Sequence, residues 1–251
     1  LDFMRSVPRD TPIMDFLRTA ASALAHFDAG FKLMNETPER RVPPMRSPMD
    51  QIEVDLWNAR GWIHRLQGNF EEAHDDFDAA AIILLRQNPV NEAALIDIRA
   101  SIAGIMRQMG HTDDAAHLSR EIIETYQSCE ITDADLGQSI ARHYDIFGLV
   151  RLTQEKRHSS ALSYFERGRQ LRLMKNNPHL LSVSENNRAM ALAELGEWDG
   201  TRRAFEKLLS LRKAMGYREK VATTHLNFCY CLIRMNSLDE AREHLVEGVS
   251  I

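Results

Sequence analysis

The sequence contains little cysteine and no long apolar run, and each shortage excludes a class of protein. Among 251 residues there are three cysteines, Cys129, Cys229 and Cys231. Cys229 and Cys231 are two positions apart on a predicted helix, so they point to different faces and cannot pair with each other. This usage favours a reducing cytoplasm over a disulfide-stabilised secreted fold. Because no apolar stretch approaches the roughly 20 residues of a membrane-spanning helix, no membrane partner is expected.

Motifs that carry catalysis are also missing. The sequence has no Gly-x-Ser-x-Gly, P-loop, Rossmann glycine pattern, His-Glu-x-x-His or paired Cys-x-x-Cys. The best cluster of potential metal ligands is His111, Asp113 and His117, and ordinary surface polarity explains it better than a metal site. A cysteine nucleophile would need a base that the sequence cannot place. We therefore expect neither an enzyme active site nor a cofactor.

The charge balance is informative by segment. The formal net charge of −5 is small and argues against general nucleic-acid binding. Residues 51–150 contain 17 acids and 7 bases, whereas residues 151–220 contain 8 acids and 15 bases. Solvated helix faces explain this asymmetry. The alternative is a pair of surfaces of opposite sign that guide a partner or a second copy.

The first 50 residues divide into a predicted helix and a predicted loop. Asp10-Thr11-Pro12 is typical of a helix start, so residues 1–34 are predicted to form a helix that is half of a repeat. Four prolines between Pro38 and Pro48 prevent a helix in residues 35–50. A tolerated surface insertion explains this loop better than a docking or cleavage site. Without an initiator Met or a signal-peptide pattern, the chain is expected to be part of a longer protein.

A recurring pattern divides residues 51–251 into five predicted helix pairs. In the first pair Gly68 supplies the turn, and Ala73, Phe77 and Ala80 share one face of the second helix. The position of Ala73 recurs at intervals of 42, 46, 40 and 40 residues, at Ala115, Ala161, Thr201 and Ala241. The position of Phe77 is occupied in the later pairs by Ser119, Phe165, Phe205 and Leu245. Such regularity predicts helix pairs that bury their faces by stacking on their neighbours.

Three local features are predicted within these pairs. In the third pair Lys156 occupies the turn position and Gly148 lies one residue early, so the turn should contain one inserted residue. Asn69 and Ser237 begin capping-box sequences, and their side-chain oxygens are expected to accept hydrogen bonds from helix N–H groups. Packing around Ser119 should be thinner than around a phenylalanine.

The full pattern resembles the tetratricopeptide repeat. The order small–x(6)–Gly–x(4)–Ala–x(3)–Phe–x(2)–Ala is complete in the first pair, and a tryptophan of that family is matched too: Trp57, Gly61, Gly68, Ala73, Phe77 and Ala80. The period of about 40 residues is similar to that of kinesin light chain repeats and of bacterial regulators that bind signalling peptides. The resemblance implies an all-α fold, a right-handed α-solenoid of stacked antiparallel helix pairs, in which residues 1–34 and 51–251 form one domain.

The resemblance also implies where a ligand binds. In this family the first helix of each pair lines a concave groove that holds extended or helical peptides. The groove positions carried over to this sequence are Asn58, Trp62, Arg65, Ser101, Arg107, Asn187, Met190, Asn227, Tyr230 and Arg234. Asn187 and Asn227 lie one repeat apart, where each amide could hold a peptide backbone or could bond the adjacent repeat. Arg65 and Arg107 could bind a carboxylate, and Trp62 could equally belong to the core.

Two hypotheses for function follow. The first is a protein- or peptide-binding module, the sensor or scaffold part of a longer cytoplasmic regulatory protein. The second is an oligomerisation segment of a multidomain enzyme or transcription regulator, with catalysis or DNA binding outside this chain. The apolar strip of Val246, Val249 and Ile251 on the last helix favours self-association, if no further helix covers it.

Overall fold

The computed structural model describes residues 48–175 and 177–251, and all regular structure in these ranges is α-helical. The helices are α1 (Pro48–Gln67), α2 (Phe70–Arg86), α3 (Glu92–Gln108), α4 (Thr112–Tyr126), α5 (Ala134–Thr153), α6 (His158–Leu173), α7 (Pro178–Glu194), α8 (Trp198–Ala214), α9 (Arg218–Arg234) and α10 (Leu238–Ser250). The helix predicted for residues 1–34 lies outside the described residues, as does the predicted loop up to residue 47. Because α1 begins at Pro48, the last three residues assigned to that loop are helical.

The chain divides into two compact units between His111 and Thr112. In the first unit α1 packs on α2 and α2 packs on α3. In the second unit each helix from α4 to α10 packs on the next one along the chain. Helix α7 also contacts both α5 and α9, so the first helices of three successive pairs form one layer of this unit. The order of packing is that of consecutive antiparallel helix pairs.

The turns inside the pairs share one conformation. A residue with positive φ, between 52° and 90°, lies five positions before each alanine-type residue: Gly68, Gly110, Lys156, Gly196 and Asn236. Gly148 precedes Lys156 by eight positions, whereas the small residue of the other pairs precedes its turn residue by seven. A Cβ added at Gly148 would meet the ring of Phe165, as one added at Gly61 would meet the ring of Phe77, so the inserted residue predicted for the third turn is confirmed.

The aromatic core follows the predicted repeat register. Phe77, Phe165 and Phe205 have no exposed surface. Phe77 packs on Gly61, where an added Cβ would lie 2.9 Å from its ring carbon Cε1. The prediction that these rings are buried at one shared repeat position is confirmed. In the second unit Phe205 also stacks on Phe228, with ring centroids 5.0 Å apart.

Ser119, which stands at the phenylalanine position of the second pair, makes a polar contact instead of an aromatic one. Its side chain is fully buried, and Oγ lies 3.3 Å from Nδ1 of His143 on α5. A serine–histidine hydrogen bond thus replaces the apolar contact of a phenylalanine at this position.

The two capping-box predictions are wrong. Asn69 and Ser237 stand at the N-cap positions of α2 and α10, but neither side chain accepts a helix N–H. Their ψ angles of 75° and 67° keep the chain tightly turned, and their own N–H groups donate back to the preceding helix. An N-cap side chain reaches the helix when its residue is extended. That is the case, with ψ from 90° to 118°, at Asn91, Asp133 and Asn177.

Candidate functional site

The candidate site is the partly exposed face shared by α7 and α9 in the second unit. Two side-chain contacts join these first helices of successive pairs. The Nδ2 group of Asn227 donates a hydrogen bond of 3.2 Å to Oδ1 of Asn186. Nearly two turns further along, the guanidinium of Arg234 forms an ion pair with Glu194. Since both contacts reach from one helix to the other, they mark the two ends of a common surface.

Two side chains with apolar surface lie between these polar contacts. Met190 follows Asn186 by four residues and Tyr230 follows Asn227 by three, so each shares a helix face with its asparagine. Met190 is half-buried and packs against the core, whereas Tyr230 is 49% exposed. The Cζ atom of Arg234 lies 5.9 Å from the centroid of the Tyr230 ring. We define the α7–α9 face as Asn186, Met190, Glu194, Asn227, Tyr230 and Arg234.

Four of the five groove residues predicted in this unit, Met190, Asn227, Tyr230 and Arg234, belong to the α7–α9 face. Asn187 does not, because its side chain is buried with 9% exposed. Neighbouring residues on a helix point about 100° apart, so a one-position difference separates the surface from the interior. Asn186, which the repeat offsets missed, bonds Asn227 instead. In the sequence, only its position next to the predicted Asn187 could have indicated Asn186.

In the first unit, three of the predicted residues lie on α1, and two of them, Trp62 and Arg65, make side-chain contacts. The Trp62 ring meets Phe77 edge to face, with centroids 5.9 Å apart, so it belongs partly to the core. The Arg65 guanidinium lies over Trp62, and its Nε donates a 2.8 Å hydrogen bond to Gln108 of α3. Asn58 is half-buried. In this part of the predicted groove, the side chains of Trp62 and Arg65 are therefore held by contacts within the first unit.

The two residues predicted on α3 have different surroundings. Ser101 is fully buried and donates a 3.3 Å hydrogen bond to the Asp97 carbonyl of its own helix. A hydroxyl satisfied by the preceding turn can be buried in a helix interface, so the prediction of an exposed groove position is corrected for Ser101. Arg107 is half-buried, with part of its side chain open to solvent.

A concavity of about 290 Å³ lies in the first unit, and the predicted groove residues do not line it. It is lined by Glu71, His74, Asp75, Met106, Met109 and His111. In the described parts of the chain, no three His, Cys, Asp or Glu side chains are placed to hold a metal ion. No helix among those described has the length and apolar character needed to cross a membrane.

Two buried arginines support the layer of first helices. Arg172 on α6 pairs with Asp145 of α5, with Nη2 2.5 Å from Oδ2. Arg212, forty residues later on α8, donates instead to neutral oxygens of Ser182 on α7 and Thr224 on α9. Burial lowers the pKa of Arg212. Both guanidinium groups therefore connect the second helix of a pair to first helices by hydrogen bonds or ion pairs. Their spacing of 40 residues could have indicated this shared role.

The comparisons with known proteins identify the architecture. The family model described as tetratricopeptide repeat matches residues 54–84. No curated protein matches the sequence. The matched segment covers most of the first helix pair, and the helical fold of the chain is similar to that of a solved tetratricopeptide-repeat protein. The predicted all-α solenoid fold class is confirmed.

Three solved structures show the extent of the likeness. BtubC (BKLC) from P. vanneervenii is 13% identical with a TM-score of 0.64, over 96% of this chain and 91% of that one. The Rap conjugation gene regulator of plasmid pLS20, in complex with the Phr* peptide, is 16% identical with a TM-score of 0.70, over 92% of this chain and 58% of the regulator. A thermophilic tetratricopeptide-repeat protein of Thermus thermophilus is 16% identical with a TM-score of 0.55, over 80% of this chain and 90% of that one.

Proposed function

We propose that the protein binds a protein or peptide segment, and that the α7–α9 face is the binding surface. The observation that carries this proposal is the Asn186–Asn227 hydrogen bond beside the half-exposed Tyr230. The fold shared with the pLS20 regulator, whose structure contains a peptide, supports it at the level of architecture. The interactions that would recognise a ligand have to come from the residues of this chain.

The asparagine pair suits a peptide backbone. A side-chain amide has two N–H donors and an oxygen that accepts two hydrogen bonds. The bond between Asn227 and Asn186 fixes the orientation of both amides and uses one donor and one of these acceptor sites. The remaining capacity can bond the N–H and C=O groups of an extended segment. Such contacts hold a backbone without selecting its sequence.

Met190 and Tyr230 would supply the apolar part of the interface. Tyrosine offers a large rigid ring at little cost in conformational entropy, and aromatic residues dominate many interfaces. The ion pair of Arg234 with Glu194 closes one end of this region. We therefore propose a ligand segment with one large apolar side chain over Tyr230 and its backbone along the asparagines.

We further propose a binding role without catalysis, in the sensor or scaffold part of a longer regulatory protein. The α7–α9 face supports this because it offers amide, thioether and aromatic groups, which suit recognition. A cytoplasmic location is also proposed. It is supported by the three cysteines, which are all unpaired, including the exposed Cys129.

Selection from a display library of short random peptides tests this proposal. Peptides captured by the parent protein should be lost on Tyr230→Ala and retained on Arg203→Ala, which changes an exposed residue of α8 outside the face. Capture that is equal in the parent and Tyr230→Ala would reject the α7–α9 face as the binding surface.

A specific observation favours self-association as a second candidate function. Val246 and Val249 of α10 are 62% and 75% exposed, and Leu245 at the phenylalanine position is 46% exposed. A second copy that covered these three side chains would gain about 25 cal/mol for each Å² of apolar area removed from water. Sedimentation of the parent should then give a mass above 28.7 kDa that falls with Val249→Glu. A parent that sediments as a monomer at high concentration would reject this candidate.

A further inference from the structure

Helix α10 is attached to α9 by few buried residues. Of its residues, Ala241 and Gly248 are buried, and neither has a large side chain. The position that holds a buried phenylalanine in three other pairs is here the half-exposed Leu245. Gly248 permits a close approach, since an added Cβ would lie 3.1 Å from Cβ of His225 on α9. The attachment therefore depends strongly on the remaining contacts between these helices.

One of these contacts is a pair of histidines. Nδ1 of His244 on α10 lies 2.8 Å from Nδ1 of His225 on α9, and the ring centroids are 5.0 Å apart. His225 is 1% exposed. The ring of His244 also lies 4.6 Å from that of Phe228, centroid to centroid, so it is the aromatic group by which α10 contacts the core.

The geometry of this pair limits how many protons it can hold. A hydrogen bond between two ring nitrogens needs one N–H and one lone pair. Two neutral rings satisfy this requirement, and so do one neutral ring and one cation. When both rings are protonated, two N–H groups face each other and two positive charges lie in contact. The second proton therefore breaks the hydrogen bond and replaces it by repulsion.

Charged groups on α8 and α10 surround the pair. Oε2 of Glu247 on α10 lies 3.1 Å from Nε2 of His225, and Nζ of Lys213 on α8 lies 3.8 Å from the same carboxylate oxygen. Glu240 and Glu243 on α10 add negative potential at His244. Burial is the largest influence on both imidazoles and lowers the pKa of each below its ordinary value, with Lys213 acting in the same direction. The carboxylates oppose this effect without overcoming it.

We propose that the His225–His244 pair makes the docking of α10 on α9 sensitive to pH, so that protonation of both rings releases α10. The released helix would uncover the part of α9 around Phe228. This inference concerns the end of the second unit and does not depend on the proposed peptide binding.

The sign of the effect follows from linkage. Because both rings take up protons less readily when α10 is docked, the pair stabilises docking fully above the ordinary histidine pKa of about 6.5. This stabilisation is lost progressively as the pH falls below that value. For each proton that binds only after α10 is released, the equilibrium constant for docking falls by up to about tenfold for each unit by which the pH is lowered.

Hydrogen exchange of the whole chain, with protection factors corrected for the intrinsic pH dependence, tests the proposal. Between about pH 7.5 and about pH 5 the protection of α10 should fall by roughly tenfold or more, while α7 and α8 keep theirs. Constant protection of α10 over this range would overturn the proposal. A loss that occurs in α7, α8 and α10 together would also overturn it, because the whole unit would then be unfolding.

Three variants assign the effect to the pair. His244→Phe retains a ring against Phe228 but cannot titrate, so α10 should stay protected at both ends of the pH range. If this variant fails to dock α10 at neutral pH, His244→Gln provides a smaller non-titrating side chain that can still hydrogen-bond. His117→Gln removes an exposed histidine of α4 and should leave the pH dependence unchanged. The proposal is contradicted if a His244 variant that docks α10 keeps the full pH dependence of the parent. It is also contradicted if His117→Gln loses this pH dependence.

Discussion

The ring of Phe165 lies so close to Gly148 that a Cβ atom added there would be 2.5 Å from ring carbon Cε1. The same relationship joins Phe77 and Gly61 in the first pair. In the third pair it persists although the turn between the two helices contains an extra residue. The insertion is therefore absorbed in the turn around Lys156, and the contact between the helices keeps its register.

Gly148→Ala should destabilise the second unit by about 1–2 kcal/mol. The extra methyl group enters a site filled by a fully buried ring, and overpacking of this kind costs about 1–3 kcal/mol. The higher helix propensity of alanine offsets up to about 1 kcal/mol of this cost. Urea denaturation measures the change. Gly104→Ala is the matched control, because the nearest atom to its new Cβ is 3.9 Å away, and it should be neutral or stabilising.

Phe205→Ala should reduce the free energy of unfolding by about 3–5 kcal/mol. The ring has no exposed surface and stacks on Phe228, so its removal leaves a cavity between α8 and α9. In a nearest-neighbour array the pairs around this cavity should lose hydrogen-exchange protection before distant ones. A variant within about 0.5 kcal/mol of the parent would contradict the packing assigned to this position.

Asp145→Asn should cost about 3–5 kcal/mol, because it leaves the guanidinium of Arg172 buried without its counter-charge. Arg172 is 2% exposed, its Nη1 group donates to the neutral hydroxyl of Ser184 and its buried Nε has no hydrogen-bond partner, so the Asp145 carboxylate supplies the charge that balances it. Asp135→Asn is the control. Its exposed carboxylate pairs with Lys175 at the surface, where the loss should stay below about 1 kcal/mol. Equal effects in thermal or chemical denaturation would refute this distinction.

The repeat period made much of the fold predictable. Spacing alone placed Phe77, Phe165 and Phe205 at one buried position, because a conserved offset on a helix fixes the face that a side chain occupies. The shift of Gly148 by one residue similarly revealed the insertion in the third turn. These features depend on periodicity, which a sequence displays directly.

The candidate site was less predictable, because it depends on side-chain contacts between repeats. The offsets selected Asn187 although its neighbour Asn186 contacts Asn227, and sequence spacing cannot resolve a rotation of one residue about a helix axis. The contact between the buried His225 and the half-buried His244 was not predicted either. Its members come from different helices, and they meet because Gly248 allows α10 to approach α9 closely.

Titration calorimetry with a library-selected peptide tests the central claim, that the α7–α9 face binds a peptide segment. The parent is compared with Asn227→Ala combined with Tyr230→Ala, and with Arg203→Ala combined with Lys207→Ala on the exposed surface of α8. The account predicts that the first double variant loses binding by about a hundredfold or more. It also predicts that the second double variant binds like the parent and that all three proteins melt alike. Unchanged affinity in the first double variant, with its fold intact, would contradict the account.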